Sequence, residues 1–144
     1  IDTDLYFTML LAVFDQTSGE LGFTQAGHPA PVLQKTSGCV ETVGAGGLPV
    51  GLIEAAEFEQ CHVKLGTGDR FLIHSDGFCE GSKPSGELFG EDGLNLSLMR
   101  HASKRGQDCL DAIIRDMTQF SGRTEFDDDV STALLELKAD PDSV

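Results

Sequence analysis

The stretch from Gly68 to Gly81 limits what this chain can become more than any other. Gly68-Asp69 signals a turn, Arg70-Phe71-Leu72-Ile73-His74 is a short, largely apolar run, and Ser75-Asp76-Gly77 ends it. An apolar strand that hands a carboxylate to a glycine-bearing turn sets a hard oxygen at the rim of a rigid sheet. That position suits a ligand for Mg²⁺ or Mn²⁺. An ordinary strand closed by an Asx turn accounts for the same residues.

A second carboxylate cluster lies near the other end of the chain. Phe126-Asp127-Asp128-Asp129-Val130-Ser131 opens directly into the apolar, β-rich segment Thr132 to Leu137. Adjacent carboxylates repel one another, and either solvent or a cation compensates them. A solvated acidic loop meets that requirement too. If the strand ending at Asp76 and the strand following Asp128 are antiparallel neighbours, their acidic ends share one rim and form an oxygen-rich, anionic metal site.

Between these clusters the pattern alternates strands and turns. Leu5 to Phe14 reads as a buried strand ended by the turn residues Asp15 to Gly19, and Glu20 to Ala26 is its hairpin partner. Gly27-His28-Pro29 breaks the chain, and His28 reads as structural. Pro31–Gln34 and Cys39–Val43 form a short hairpin around Lys35 to Gly38. Gly44 to Gly51 is a glycine-rich loop. It lacks the Gly-Lys-Ser/Thr ending of a nucleotide P-loop, which excludes that class. Phe58 to Leu65 alternates as a strand. Glu80 to Gly93, with glycines at 81, 86, 90 and 93 and a proline at 84, is the most loop-like stretch and a place for substrate selection. Asn95–Lys104 and Gln107–Phe120 read as helices. In the second, Leu110, Ile113, Ile114, Met117 and Phe120 share one buried face. Strands followed by a helical pair and a last strand argue for an α+β domain with helices packed on a sheet. Residues 1–138 make up that domain, and 139–144 are a tail.

Charge and cysteine usage exclude other classes. The chain has 144 residues and a formal net charge of −14, with 24 acidic against 10 basic side chains. That field repels nucleic acid and anionic membrane, and no run approaches membrane-spanning length. Cys39, Cys61, Cys79 and Cys109 are widely spaced, with no Cys-x-x-Cys pair for zinc; they read as reduced thiols of a cytoplasmic protein. His62 and His74 sit in strand-like runs and read as non-ligands. His101 suits the carboxyl end of a helix.

Six segments occur in a telling order: Phe7-Thr8-Met9, Ala26 to Pro31, Gly47 to Leu52, Gly68-Asp69 through Ser75-Asp76-Gly77, Phe89-Gly90, and Asp128 to Ser131. Together they resemble the SpoIIE-like branch of the PPM metal-dependent protein serine/threonine phosphatases, the bacterial stress-response and sporulation type. The resemblance implies an antiparallel β-sandwich flanked by helical layers (an αββα arrangement) that is incomplete at its amino end. An Asp-Gly segment supplying further metal ligands is expected ahead of Ile1. Asp76 and Asp128 are then metal ligands, and Asp129 is a third candidate beside them. Two Mn²⁺ or Mg²⁺ ions are implied for the complete domain, with a phosphorylated anti-sigma-antagonist type of protein as substrate and a sensory or receiver domain upstream. A pseudo-phosphatase that acts as an adaptor is the alternative from another functional class.

Overall fold

The computed structural model describes residues 5–122 and 129–138. Among them run β1 (Met9–Asp15), β2 (Glu20–Ala26), β3 (Val32–Gln34), β4 (Val40–Thr42), β5 (Gln60–Lys64), β6 (Arg70–His74), α1 (Gly90–Arg100), α2 (Gly106–Ser121) and β7 (Thr132–Glu136). The strands form two antiparallel sheets, ordered β1-β2-β5 and β4-β3-β6-β7. The α+β fold class expected from the sequence is the one observed. Residues 139–144, read as a tail, lie outside the described residues.

Two apolar layers hold these elements together. Leu21, Phe23, Leu33, Leu65 and Phe71 fill the space between the sheets, where the Phe23 and Phe71 rings meet edge to face at 5.2 Å. Val32 and Leu72 on the other side of the second sheet pack against Leu94, Leu98, Ile113 and Met117 of the helices. Strand β6 therefore buries side chains on both faces, which is why its apolar run shows no polar alternation. Each such side chain contributes roughly 1.5–3 kcal/mol of transfer free energy.

Turn chemistry sets the register of the first hairpin. The Asp15 carboxylate accepts from Thr17 N (2.8 Å) and Ser18 Oγ (2.8 Å), and Gly19 follows at φ 74°. A Cβ at Gly19 would stand 2.7 Å from the Leu65 carbonyl oxygen, so both the backbone angle and the space call for glycine.

Two expectations about element limits are corrected. Leu5 to Phe14 is not one buried strand: regular pairing begins at Met9, and Leu11 and Val13 are exposed on the outer face of the β1-β2-β5 sheet. Strand β1 is an edge of that sheet, and its inward residues Leu10, Ala12 and Phe14 are only half-buried. Glu80 to Gly93 is not loop throughout either. Ser82 bridges Leu88, the Lys83 ammonium pairs with Glu87 at 2.8 Å, and α1 begins at Gly90. Leu94 and Leu98 are fully buried on α1, and Glu91 and Asp92 favour its amino end; together these offset the helix cost of Gly93.

Arg70 opens β6 yet is 1% exposed. Its guanidinium donates to Glu136 Oε1 (3.2 Å), Gln34 Oε1 (2.9 Å), the Ala102 carbonyl (2.8 Å) and the Lys104 carbonyl. It thereby fastens the α1–α2 connection to the sheet. Asp69, its neighbour, is a buried carboxylate that accepts from Gly66 N (2.8 Å), Thr36 N (2.8 Å), Thr36 Oγ1 (3.0 Å) and Lys35 Nζ (2.9 Å). Burial pushes the Asp69 carboxyl up, but these donors outweigh it and hold the group at about 2. Because the folded value lies below the ordinary one, this contribution is complete above about pH 4 and disappears as pH falls toward 2. It is worth about 2 kcal/mol. Denaturant melts of Asp69→Ala across that range are expected to lose this component of acid sensitivity; a pH dependence unchanged from the native chain would refute the assignment.

Among the described residues no helix is long and apolar enough to cross a membrane.

Candidate metal centre

The end of β6 and the start of β7 meet as the sequence suggests. His74 faces Thr132 in antiparallel register, and Ser75 N donates to Ser131 O at 2.9 Å. The Ser75 hydroxyl then closes the junction. It donates to the Asp129 carbonyl (3.0 Å) and accepts from Ser131 N (3.0 Å). One serine side chain thus holds the backbone at Asp129 against the residue that precedes Asp76. Sequence reasoning passed over Ser75. Its only signal was a hydroxyl next to a candidate ligand, and its partners lie far along the chain.

Asp76 begins a 3-10 turn, Asp76–Phe78. Its Oδ1 accepts from Gly77 N (3.0 Å), and its carbonyl accepts from Cys79 N (2.8 Å) and Glu80 N (3.2 Å). Gly77 sits inside this turn, buried, so it supplies room behind Asp76 rather than a left-handed corner. The Asp76 side chain is exposed, and among the described residues no basic side chain forms an ion pair with it.

Beneath the turn lies His74, 3% exposed. Its Nδ1 is 3.1 Å from the Ser75 carbonyl, an acceptor, so Nδ1 carries the proton and donates. The ring packs against Phe78 with 6.2 Å between centroids, and Nε2 is buried without a hydrogen-bond partner. In this geometry the ring supports the peptide leading into Asp76. The thiol of Cys79 is pushed up to about 11, by burial first and then by the charges of Glu91 and Glu80. The ground beside Asp76 is therefore acidic. The other histidines also have local partners: His28 Nδ1 lies 2.9 Å from Pro29 O, His62 pairs with Glu20 at 3.0 Å, and His101 Nε2 meets Asp116 at 3.1 Å.

The donor chemistry suits a hard divalent ion. Asp76 offers an open carboxylate oxygen on a rigid strand end, and the backbone of Asp129 is fixed across the rim. Asp128 lies outside the described residues. Among the described residues no three histidine, cysteine or carboxylate side chains gather as a ready metal cage.

Residues 1–138 match the model of the family described as Stage II sporulation protein E (SpoIIE). The chain belongs to the SpoIIE family. SpoIIE domains are PP2C-type phosphatase domains, and solved relatives share the fold. The phosphatase domain of SpoIIE from Bacillus subtilis, presoaked with Mn, is 20% identical with a TM-score of 0.73; the match covers 92% of this chain and 57% of that one. The SiaA-PP2C domain of Pseudomonas aeruginosa is 18% identical with a TM-score of 0.79, covering 91% and 52%. The RsbU and RsbW domains of Rv1364c from Mycobacterium tuberculosis give 27% identity and a TM-score of 0.73, covering 92% and 36%. Protein IcfG of Synechocystis sp. is 25% identical over 128 residues, and the chain spans 20% of its length.

Proposed function

We propose that this chain is the catalytic part of a PP2C-type phosphatase that hydrolyses phosphoserine and phosphothreonine on a bacterial signalling protein of the anti-sigma-antagonist type. In this reading Asp76 and Asp128 hold Mn²⁺ or Mg²⁺, with Asp129 beside them, and the domain is the output of a longer signalling or response-regulator chain in the cytoplasm. The observation that carries the reading is the Ser75 junction, which sets the segment at Asp129 beside Asp76 at one rim of the sheet. Membership of the SpoIIE family supports the same chemistry.

When bound, divalent ions supply charge neutralisation at the phosphoryl oxygens and a more acidic water. The chain's own residues do the positioning. Ser75 fixes the spacing between the two strand ends, and the His74 ring and Phe78 support the peptide that carries Asp76. Phosphate-monoester hydrolysis is among the slowest uncatalysed reactions, so the barrier reduction asked of such a site is large.

Further ligands are expected from the parent protein. The test is phosphate release from a phosphoserine protein with Mn²⁺ present, by this chain and by its full-length parent. The expected result is turnover by the parent and little or none by the chain. Equal turnover by both would contradict the need for further ligands. A parent that releases no phosphate yet binds its partner would establish the adaptor reading in place of the enzyme.

A further inference from the structure

A groove runs between α1 and α2 on their outer side. It encloses about 360 Å³, and its walls are Phe89, Gly93 and Leu96 from the α1 side and Gln119 and Phe120 from α2. Charge borders it. On its wall the Arg100 guanidinium meets the Asp116 carboxylate at 2.7 Å, which also takes the Ser97 hydroxyl at 2.8 Å, and Lys83 Nζ stands 4.3 Å over the Phe120 ring. Gly93 makes room for the Phe89 ring on that wall, since a Cβ there would stand 2.7 Å from it. On its wall Leu96 stands in solvent, 60% exposed. An exposed leucine beside the Phe89 and Phe120 rings gives the groove an apolar contact surface.

This groove is joined to the strand end that carries Asp76. Phe89 N donates to Gly81 O (2.7 Å) and Gly90 N to Cys79 O (2.9 Å), so the α1 entrance is tied to the segment that leaves the Asp76 turn. The ground between is acidic, with Glu80 exposed after the turn and Glu91 and Asp92 exposed on the first turn of α1. A chain segment laid from Asp76 toward the groove crosses carboxylates before it reaches the apolar walls.

Resting on the phosphatase reading above, we infer that this groove docks the substrate protein beside its phosphorylated residue. The segment it takes carries Lys or Arg next to the phosphosite, over Glu80 and Glu91, and then one large apolar anchor, Leu, Ile or Phe, which enters between α1 and α2. The volume suits one such side chain with part of its backbone, and the charge order explains how a strongly acidic enzyme tolerates a phosphoprotein.

A positional library of phosphoserine peptides, panned on the native chain and on two variants, tests this. The native chain is expected to enrich Leu, Ile or Phe at one fixed distance from the phosphoserine, with Lys or Arg in between. Leu96→Glu, at an exposed position that does not threaten folding, should weaken the enriched peptide by about tenfold or more in fluorescence anisotropy. Glu91→Lys should remove the preference for basic residues. No enrichment, or enrichment that survives Leu96→Glu unchanged, overturns the proposal. The enriched peptide without its phosphate should still bind within a few-fold, because the groove holds its anchor and flank. Docking is thereby read apart from turnover: groove binding with no phosphate release by the parent rejects the phosphatase reading alone.

Discussion

Asp76→Asn in the full-length parent is expected to abolish most Mn²⁺ binding and most phosphate release while the domain stays folded. Asp76 is exposed, so its loss removes no core contact, and stability should move by no more than about 0.5 kcal/mol. The effect on the metal is of another order. Residues that merely orient a metal ligand are worth about 10–100-fold in affinity, and a ligand itself should cost at least about 100-fold. Asp128→Asn is expected to match it, and the double variant should be little worse than either, because ligands of one site act as a unit. Calorimetric Mn²⁺ titration of the three variants decides the matter. Native affinity in either single variant would show that no shared site exists.

The largest effect on stability is expected at Arg70. Replacing it by Met removes the buried partner of Gln34 and of the Ala102 and Lys104 carbonyls, and half of the cationic environment of Glu136. Breaking a buried charge pair from one side costs about 3–5 kcal/mol. The lower end applies here, since Glu136 keeps Arg105 Nε at 3.2 Å and Gly106 N at 3.1 Å. That is a large part of the stability of an ordinary domain. Arg105→Ala supplies the contrast. Its side chain is largely exposed, and a surface pair is worth about 0–1 kcal/mol. Urea unfolding of the two variants should separate them by about 2 kcal/mol or more. Equal losses at Arg70 and Arg105 would show that the buried guanidinium is not the staple described above.

Local signals in the chain were sufficient wherever a short run is bounded by turn residues. Glu20 to Ala26 and Arg70 to His74 read as strands with the limits that β2 and β6 have, because glycine, proline and Asx turns punctuate both ends. The 3.6-residue period likewise showed α2 from Leu110 to Phe120, and Gly122 closes that helix at φ 67°. Leu5 to Phe14 carries such punctuation only at its carboxyl end, where Asp15 to Gly19 turn the chain. Which of its apolar residues pair, and which face solvent, follows from the partner strand and from what covers the sheet, and neither is written in the segment. The onset of α1 failed for a related reason. Glycines at 86, 90 and 93 spell loop locally, while burial of Leu94 and Leu98 against the sheet selects helix.

The candidate site divides along the same line. The chain alone determined that a carboxylate closes one apolar strand and an acidic run opens another, since both are patterns of neighbours. Only the tertiary structure decided that β6 and β7 are adjacent, that the Ser75 hydroxyl joins them across 54 and 56 positions, and that Arg70 finds Glu136 across 66. Strand pairing brings such partners together, and its free energy comes from both cores at once. No local pattern around Ser75 or Arg70 carries that information.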